Sequence, residues 1–371
     1  MQLLPVNHLT DIIDKINMKK ILITGIGGPT PRSIARTLKN NHSDYKIVGV
    51  DANPKALGFF IPGLVDSYYV VPRMNHPDYW SSIKKIIINE DIDIAFVQPE
   101  LEVIGWGKYL KDNGSYPCPV FIPPVEIAMA MMDKSIMANL LNGTAFIPKT
   151  LKVSHDNPKF QEVISEIGFP CWIRATIGSG GLGSLKVLDL ASYKSWLFIN
   201  HGIEEFTISE FLPGRHLATQ MLYYKGEYIK GASLECVEYV MASIAPSKVT
   251  GNTSFGRFLN ENRILEFCNN CVSFICHELE LEAHGVLSFD LKEDTSGNLK
   301  VTEINIRHMA YTGVMAQVGF NLIEDTLILL TDGNANKLTR QPYYRYRMPF
   351  VFLRDVDTEP VILESEEFFP M

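Results

Sequence analysis

Positive charge is in deficit in this chain: 34 lysines and arginines stand against 42 aspartates and glutamates, a net charge of −8. A protein that lives on nucleic acid through its phosphates carries the opposite balance, so no nucleic-acid partner is expected. Runs of about 18 apolar residues are missing, which leaves no membrane span and no membrane partner. The opening stretch MQLLPVNHLTDIIDKIN carries Asp11 and Asp14 and lacks the unbroken apolar core of a signal peptide. It reads as a lead-in helix over 1–18, and the compartment as cytoplasmic. Internal repeats and low-complexity tracts are absent. Cysteine is scarce, with six residues at 118, 171, 236, 268, 271 and 276. Cys268-x-x-Cys271, followed by Cys276 and His277, invites a zinc reading, but no second ligand pair stands nearby at finger spacing. Ile264, Cys268, Cys271, Ile275 and Leu279 recur at helical spacing, so the thiols fall on the apolar stripe of one helix. Reduced, buried thiols suit a cytoplasmic protein. No convincing Ser-His-Asp or Cys-His arrangement stands out, so a protein nucleophile is not indicated.

What is present is a chain of 371 residues, 46% hydrophobic and 20% charged, enough for two or three compact domains. KILITG (20–25), KIVGVD (46–51) and DIAFVQP (93–99) read as strands; IGGPTPRSIARTLKN and roughly 76–90 read as helices. Such alternation predicts a parallel sheet with helices on both faces over 19–122. The turn GIGGPTP, with Asp51 closing the second strand, resembles a dinucleotide fingerprint, although Pro29 and Pro31 stand where G-x-x-G continues. An NAD(P)-dependent enzyme using this domain is therefore the competing reading. Arg32, at the start of the following helix, either meets an anionic group at the helix N-terminus or simply faces solvent. Beyond it, FIPPVEIAMAMMDKSIMANLL (121–141) reads as one helix with a methionine-rich packing face. Short strands with Gly and Pro turns follow, then a helix over 261–281, a hairpin, and a helix near 309–332. YYRYR (343–347) and VFLRDV read as closing strands.

The hairpin GVLSFDLKEDTSGNLKVTEINIRH (285–308) places polar residues where a buried strand wants apolar ones. With Ser296-Gly297 at the tip, Asp290 lies opposite Glu303 on one sheet face, and Asn305 is two residues along the same face. Two facing carboxylates repel unless a cation stands between them. Two carboxylates and an amide oxygen are hard donors suited to Mg²⁺. Arg307 continues the face and can hold an anion beside the metal. A plain Glu303–Arg307 salt bridge would leave Asp290 and Asn305 unexplained. In PCWIRATIGSGGLGSLKV (170–187), a strand ending in Arg174 runs into Gly178, Ser179, Gly180, Gly181 and Gly183 and returns as a strand. Such a loop can lay backbone N–H groups over phosphates, or it can be no more than a glycine-rich hairpin tip. It opens no helix and lacks G-K-S/T, so it is not a P-loop.

Asp133-Lys134, then Trp172-Ile173-Arg174 with the glycine loop, then Ser209-Glu210-Phe211-Leu212-Pro213-Gly214, then Asp290, then Glu303-Ile304-Asn305-Ile306-Arg307 occur in that order. The set resembles the ATP-grasp superfamily. It is most similar to the synthetase halves of carbamoyl-phosphate synthase and related carboxylate–amine ligases, over about 20–335. The resemblance implies an N-terminal α/β, Rossmann-like pre-ATP-grasp domain (19–122) followed by an α+β ATP-grasp domain of two subdomains. One subdomain (123–208) would hold the phosphate loop, the other (209–335) the metal site, with C-terminal strands over 336–371. It implies that Lys134 and Arg174 hold ATP phosphates and that Gly178–Gly183 close over them. Glu210, Phe211 and Leu212 would form the adenine hinge. Asp290, Glu303 and Asn305 would bind one or two Mg²⁺, for which Mn²⁺ can substitute. Arg307 would steady an acyl phosphate, and VTGNTSFGR, with Thr250, Gly251 and Arg257, would lie on the substrate side. His216 stands where the family usually has a glutamate for the ribose hydroxyls; histidine can still hydrogen-bond a hydroxyl. The implied activity is an ADP-forming ligation of a small carboxylic acid to an amine or ammonia; the family admits a homodimer, which no feature of this sequence marks. The single module and the lack of a glutaminase-like region argue against a complete carbamoyl-phosphate synthase. A non-catalytic nucleotide-binding protein is the third reading.

Overall fold

The computed structural model describes residues 19–176, 183–245, 247–355 and 361–364. The expected lead-in helix at 1–18 lies outside them. The chain forms two compact units. The first holds residues 19–122 with 310–317 and 321–338, the second 123–309 with 318–320 and 339–364. The block expected over 209–335 is thus divided.

In the first unit, β1 (Lys20–Thr24), β2 (Lys46–Asp51), β3 (Ser67–Val70) and β4 (Ile94–Phe96) form a parallel sheet of order β3-β2-β1-β4. That order is half of a doubly wound sheet. Strand β3 carries no sequence signal because its residues are largely exposed. Helix Pro29–Asn41 connects β1 to β2, helix Tyr79–Glu90 connects β3 to β4, and helix Glu100–Asn113 follows β4. Alternate residues Ile21, Ile23, Ile94 and Phe96 form one core with Ile34, Ala35 and Leu38 of the first helix. Ile323 and Leu327 of helix Leu322–Asp332 complete that core, which is why 321–338 belongs to this unit.

The second unit contains two antiparallel sheets. The smaller joins β5 (Thr150–Ser154), β6 (Cys171–Ala175), β7 (Leu185–Val187) and β8 (Glu205–Glu210) in the order β5-β8-β6-β7. Cys171, Ile173, Val187, Phe206 and Ile208 pack one face against Tyr193 and Trp196 of helix Leu190–Ile199. Period two sends Trp172, Arg174 and Lys186 to the other face. The larger sheet comprises β9 (His216–Tyr224), β10 (Glu227–Tyr239), β11 (Thr253–Leu259), β12 (Gly285–Glu293), β13 (Leu299–Asn305), β14 (Phe350–Leu353) and β15 (Val361–Glu364). Their order is β13-β12-β9-β10-β11-β14-β15. Helix Asn262–Leu279 turns buried Cys268 and Cys271 inward, and the Thr219 hydroxyl donates to Cys268 Sγ at 3.9 Å. The thiols are packing groups, as their helical spacing predicts.

Three sequence expectations need correction. The helix over 121–141 breaks into Val125–Met132 and Lys134–Leu140. The Asp133 carboxylate causes the break by accepting the N–H groups of Ser135 (2.8 Å) and Ile136 (3.1 Å) as an N-cap. The helix near 309–332 is likewise two, Thr312–Gln317 and Leu322–Asp332, the second capped by the Asn321 side chain. YYRYR forms no strand; only Phe350–Leu353 of the neighbouring run does.

Candidate functional site

The hairpin β12–β13 pairs Asp290 with Glu303 and Ser288 with Asn305. Two carboxylates therefore stand side by side on one face of the large sheet. The route to that register differs from the expected two-residue tip. Asp294 N donates to Asn298 O at 2.9 Å, leaving three residues in the turn, and Glu293 pairs with Leu299. A β-bulge between Asp290 and Leu291 then makes Thr302 the extra residue and restores the register at Glu303.

A bulge leaves backbone groups out of the ladder. Here Arg174 Nη2 donates to the Thr302 carbonyl at 2.7 Å, and Thr302 Oγ1 donates to Asp290 O at 3.0 Å. Arg174 thus reaches the carboxylate pair from the smaller sheet. Burial pulls its guanidinium pKa below the usual value, opposed by the charges of Glu303 and Asp290. Lys134 is only 6% exposed, and its Nζ donates to Glu303 Oε1 at 3.0 Å. The helix break at Asp133 is what aims this lysine: it makes Lys134 the first residue of a new helix. Asn305 Nδ2 donates to Asp290 Oδ2 at 3.2 Å, and His216 Nε2 stands 3.5 Å from Asp290 Oδ1. Among the described residues no three His, Cys, Asp or Glu side chains gather as a metal cluster. A cation here would rest on the two carboxylates and the amide oxygen of Asn305, an all-oxygen set that fits Mg²⁺ keeping several other ligands.

Of the glycine loop, Gly178, Ser179, Gly180 and Gly181 lie outside the described residues. Gly183 has φ +63, and an added Cβ would sit 2.6 Å from Ile203 Cδ1. The hinge segment follows β8. Glu210 is exposed, and its carboxylate accepts Lys149 N at 3.0 Å. Lys186 Nζ lies 4.0 Å over the Phe211 ring, and Leu212 is buried. Gly214 N donates to Glu293 O at 3.0 Å; no other residue fits, since a Cβ would come 2.6 Å from Glu293 Cβ. Arg215 then donates to both Glu293 (3.0 and 3.1 Å) and Glu261 (2.7 and 3.1 Å), and Arg263 also pairs with Glu293. The hinge is therefore fixed to the distal end of the carboxylate hairpin.

Lys134, Arg174, His216, Asp290, Glu303 and Asn305 are brought together; Thr250, Gly251 and Arg257 are not. Arg257 pairs with Glu235, which pairs with Leu217, while Asp290 pairs with Ala218. That register puts Arg257 on the opposite sheet face, with the Glu235 carboxylate 3.9 Å from its guanidinium. Thr250 donates to Val240 O at 2.6 Å, and Gly251 is exposed in the same loop. Arg307 Nη1 donates to its neighbour's carbonyl, His308 O, at 3.0 Å, and Ser288 Oγ donates to Arg307 O at 3.0 Å. Two groups escaped sequence reasoning. Lys186 lies over the Phe211 ring and Lys292 pairs with His216; burial and then the Lys186 charge lower the pKa of Lys292. Tyr239 contacts His216. Alternation in SLKV could have found Lys186; nothing local marks Tyr239.

The glycine turn of the first unit is already satisfied internally. Gly27 N donates to Asp51 Oδ2 at 2.9 Å, Gly28 N donates to Gly25 O at 2.9 Å, and Asp51 Oδ1 accepts Asn53 N at 2.8 Å. The Gly27 and Gly28 N–H groups, which would face a pyrophosphate, are thus bonded within the turn and its neighbouring strand.

No family model matches the sequence, and a search of curated proteins finds no match. Solved structures do match. N5-carboxyaminoimidazole synthetase from Staphylococcus aureus complexed with ADP superposes with a TM-score of 0.67 at 14% identity, covering 90% of this chain and 82% of that one. The biotin carboxylase domain of Hydrogenobacter thermophilus 2-oxoglutarate carboxylase, in complex with MgADP, ADP and bicarbonate, gives 0.66 at 14% identity, covering 91% and 74%. An L-amino acid ligase from Bacillus licheniformis gives 0.64 at 12% identity, covering 90% and 79%. At such identities the likeness is one of fold alone, shared over nine-tenths of this chain.

Proposed function

We propose that this chain is an ATP- and Mg²⁺-dependent, ADP-forming ligase that joins a small-molecule carboxylate to an amine or ammonia through an acyl phosphate. The observation that carries the reading is the convergence of Lys134 and Arg174, from two separate elements, on the Asp290–Glu303 pair. Phosphoryl transfer to a carboxylate brings two anions together, so its barrier falls when fixed cations neutralise the transferred group and hold it in line. Lys134 and Arg174 supply that charge, and burial sharpens it by excluding water. Asp290, Glu303 and Asn305 would hold Mg²⁺, which supplies charge neutralisation on the phosphate oxygens. The hinge over 210–212 and His216 would hold the nucleoside, Gly178–Gly183 would cover the phosphates, and Arg307 would steady the acyl phosphate. The amine then attacks the activated carbonyl and phosphate leaves; no protein nucleophile is needed. A carbamoyl-phosphate-synthase-like substrate class, a cytoplasmic setting and a homodimer belong to the same reading. Arg257 is better assigned outside the catalytic set, given its sheet face.

The test is a phosphate-release screen with ATP, Mg²⁺ and a matrix of acids and amines, run with the wild type, Asp290→Asn and Glu303→Gln. Release that depends on one acid–amine pair and disappears in both variants is expected. Activity and ATP binding that both survive the two substitutions would refute the metal assignment. Binding that disappears without any turnover in the matrix would favour a non-catalytic nucleotide-binding protein.

A further inference from the structure

His216 has a second neighbour that the nucleotide reading leaves without a task. Lys292 pairs with His216 and Asp290 with Ala218, so His216 stands diagonally across from Asp290 on the adjoining strand and on the same face. His216 Nε2 is 3.5 Å from Asp290 Oδ1. Its other ring nitrogen, Nδ1, contacts the Tyr239 hydroxyl, and the two rings lie 5.5 Å apart, tilted by 39°. Tyr239 should not be able to reach this face. Leu234 pairs with Ala218 and so shares the face of Asp290; counting by twos, an odd-numbered residue of β10 belongs on the opposite one. The ladder shows why it does reach. Cys236 pairs with Gly256, Glu238 with Phe255 and Tyr239 with Thr253, so the ladder is irregular on both strands at this point, counting by twos does not carry through it, and the Tyr239 hydroxyl meets His216. Re-aiming a side chain beside a site is a common use of a bulge.

We propose that Tyr239 is a positioning residue: its hydroxyl fixes His216 in the Nε2–H tautomer, so that this N–H is presented to the Asp290 carboxylate. A neutral imidazole has one donor nitrogen and one acceptor. An ionised carboxylate accepts only, so the nitrogen facing Asp290 is the donor and Nδ1 accepts the phenol proton. Burial, then the nearby Cys236, Asp290 and Glu303, hold the Tyr239 pKa well above its usual value, which keeps the phenol protonated as a donor. At 3.5 Å the His216–Asp290 contact is an orienting interaction at the outer limit of hydrogen bonding. The consequence is control of a candidate metal ligand from outside its coordination shell, where partners orient ligands and tune affinity. Tyr239 also ends β10: Val240 N donates to Asn252 O at 2.8 Å at the base of the following loop, so that loop begins where the relay begins. The effect on nucleotide binding rests on the proposed reading of Asp290 as a metal ligand.

Tyr239→Phe removes the hydroxyl and keeps the ring. His216→Gln offers an amide N–H that needs no tautomer. Imidazole ¹⁵N shifts, measured on histidine-labelled protein at pH 8 with His216 assigned by its loss in His216→Gln, should report Nε2–H in the wild type and a tautomer mixture in Tyr239→Phe. MgADP affinity by calorimetry should fall about tenfold in Tyr239→Phe, a typical outer-shell effect, with little change for ADP without metal. In the His216→Gln background the same substitution should change MgADP affinity by under about twofold, because the two residues act as one unit. An Nδ1–H tautomer in the wild type, or an equal loss from Tyr239→Phe in both backgrounds, overturns the proposal. Failure of the wild type to bind MgADP with the tautomer dependence intact would sink the ligase reading and leave the positioning role standing.

Discussion

Replacing Glu293 with Gln should cost the second unit about 3 kcal/mol at neutral pH, and the loss should vanish in acid. Glu293 is 7% exposed and accepts hydrogen bonds from Arg215 at 3.0 and 3.1 Å and from Arg263. Those bonds, Arg215's foremost, outweigh burial and hold its carboxyl at about 2, against the usual 4.5. At about 1.4 kcal/mol per pKa unit the depression is worth about 3 kcal/mol. The arginine side chains are 35% and 45% exposed, so they rehydrate when the carboxylate is lost, and the larger penalty of a stranded buried charge does not arise. The folded pKa lies below the unfolded one, so the stabilisation is complete above pH 4.5 and disappears as the pH falls to about 2. Urea unfolding of the wild type and Glu293→Gln across pH 7 to 2.5, followed by tryptophan fluorescence, measures the difference; Trp172 and Trp196 report on this unit. Taking the difference cancels every other titrating group common to both proteins. A gap that stays constant from pH 7 to 3, or one under about 1 kcal/mol at pH 7, would refute the reasoning. Glu261 shares Arg215, so Glu261→Gln should not add fully to Glu293→Gln.

Lys134→Met should abolish nucleotide binding in calorimetry. It should also lower stability by about 1–3 kcal/mol, since it leaves Glu303 facing Asp290 without its ammonium partner. Adding Asp290→Asn should return part of that stability, though not binding. Gly214→Ala forces a Cβ to 2.6 Å from Glu293 Cβ and 2.7 Å from Glu293 O, and overpacking of this kind costs about 1–3 kcal/mol in a denaturation series. Nucleotide affinity should fall with it, because the hinge must back away from the hairpin. NADH should show no saturable fluorescence change, since the turn after β1 has already used its amides on Asp51 and Gly25.

The pairing of Asp290 with Glu303 was legible in the sequence, but by two departures that offset each other. The tip has three residues where two were expected, and the Thr302 bulge takes back the one-residue difference. Alternation of Glu303, Ile304, Asn305 and Ile306 exposes which side chains share a face; it says nothing of a bulge, whose stray carbonyl is satisfied by Arg174, far away in the chain. The same limit hid Tyr239, which meets His216 where the β10–β11 ladder is irregular on both strands. The helix break at Asp133 was readable, an Asp directly before a lysine at an N-cap, but a continuous apolar period across 125–141 masked it. Helix Leu322–Asp332 shows the converse. Its apolar stripe announces burial without naming a partner, and Ile323 and Leu327 find theirs beside Ile21 and Ile34, early in the chain.

Charge balance at the site gives the last prediction. Lys134 and Arg174 bring two positive charges to two carboxylates, Asp290 and Glu303, so the cluster is close to neutral before any ligand arrives. A nucleotide diphosphate entering alone would meet basic groups already shared with carboxylates, and would add its own repulsion to theirs. Lys186 does not change this, because its ammonium lies over the Phe211 ring. Only a cation arriving with the nucleotide lets both carboxylates keep their charge while Lys134 and Arg174 turn to the phosphates. MgADP should therefore bind at least about tenfold more tightly than ADP in excess chelator, a difference of about 1.4 kcal/mol. Glu303→Gln should shrink that ratio by weakening MgADP while strengthening metal-free ADP, since it releases Lys134 and removes one repelling charge. Equal affinity for ADP with and without Mg²⁺ would mean that the paired carboxylates serve the packing of the hairpin and take no part in holding a nucleotide.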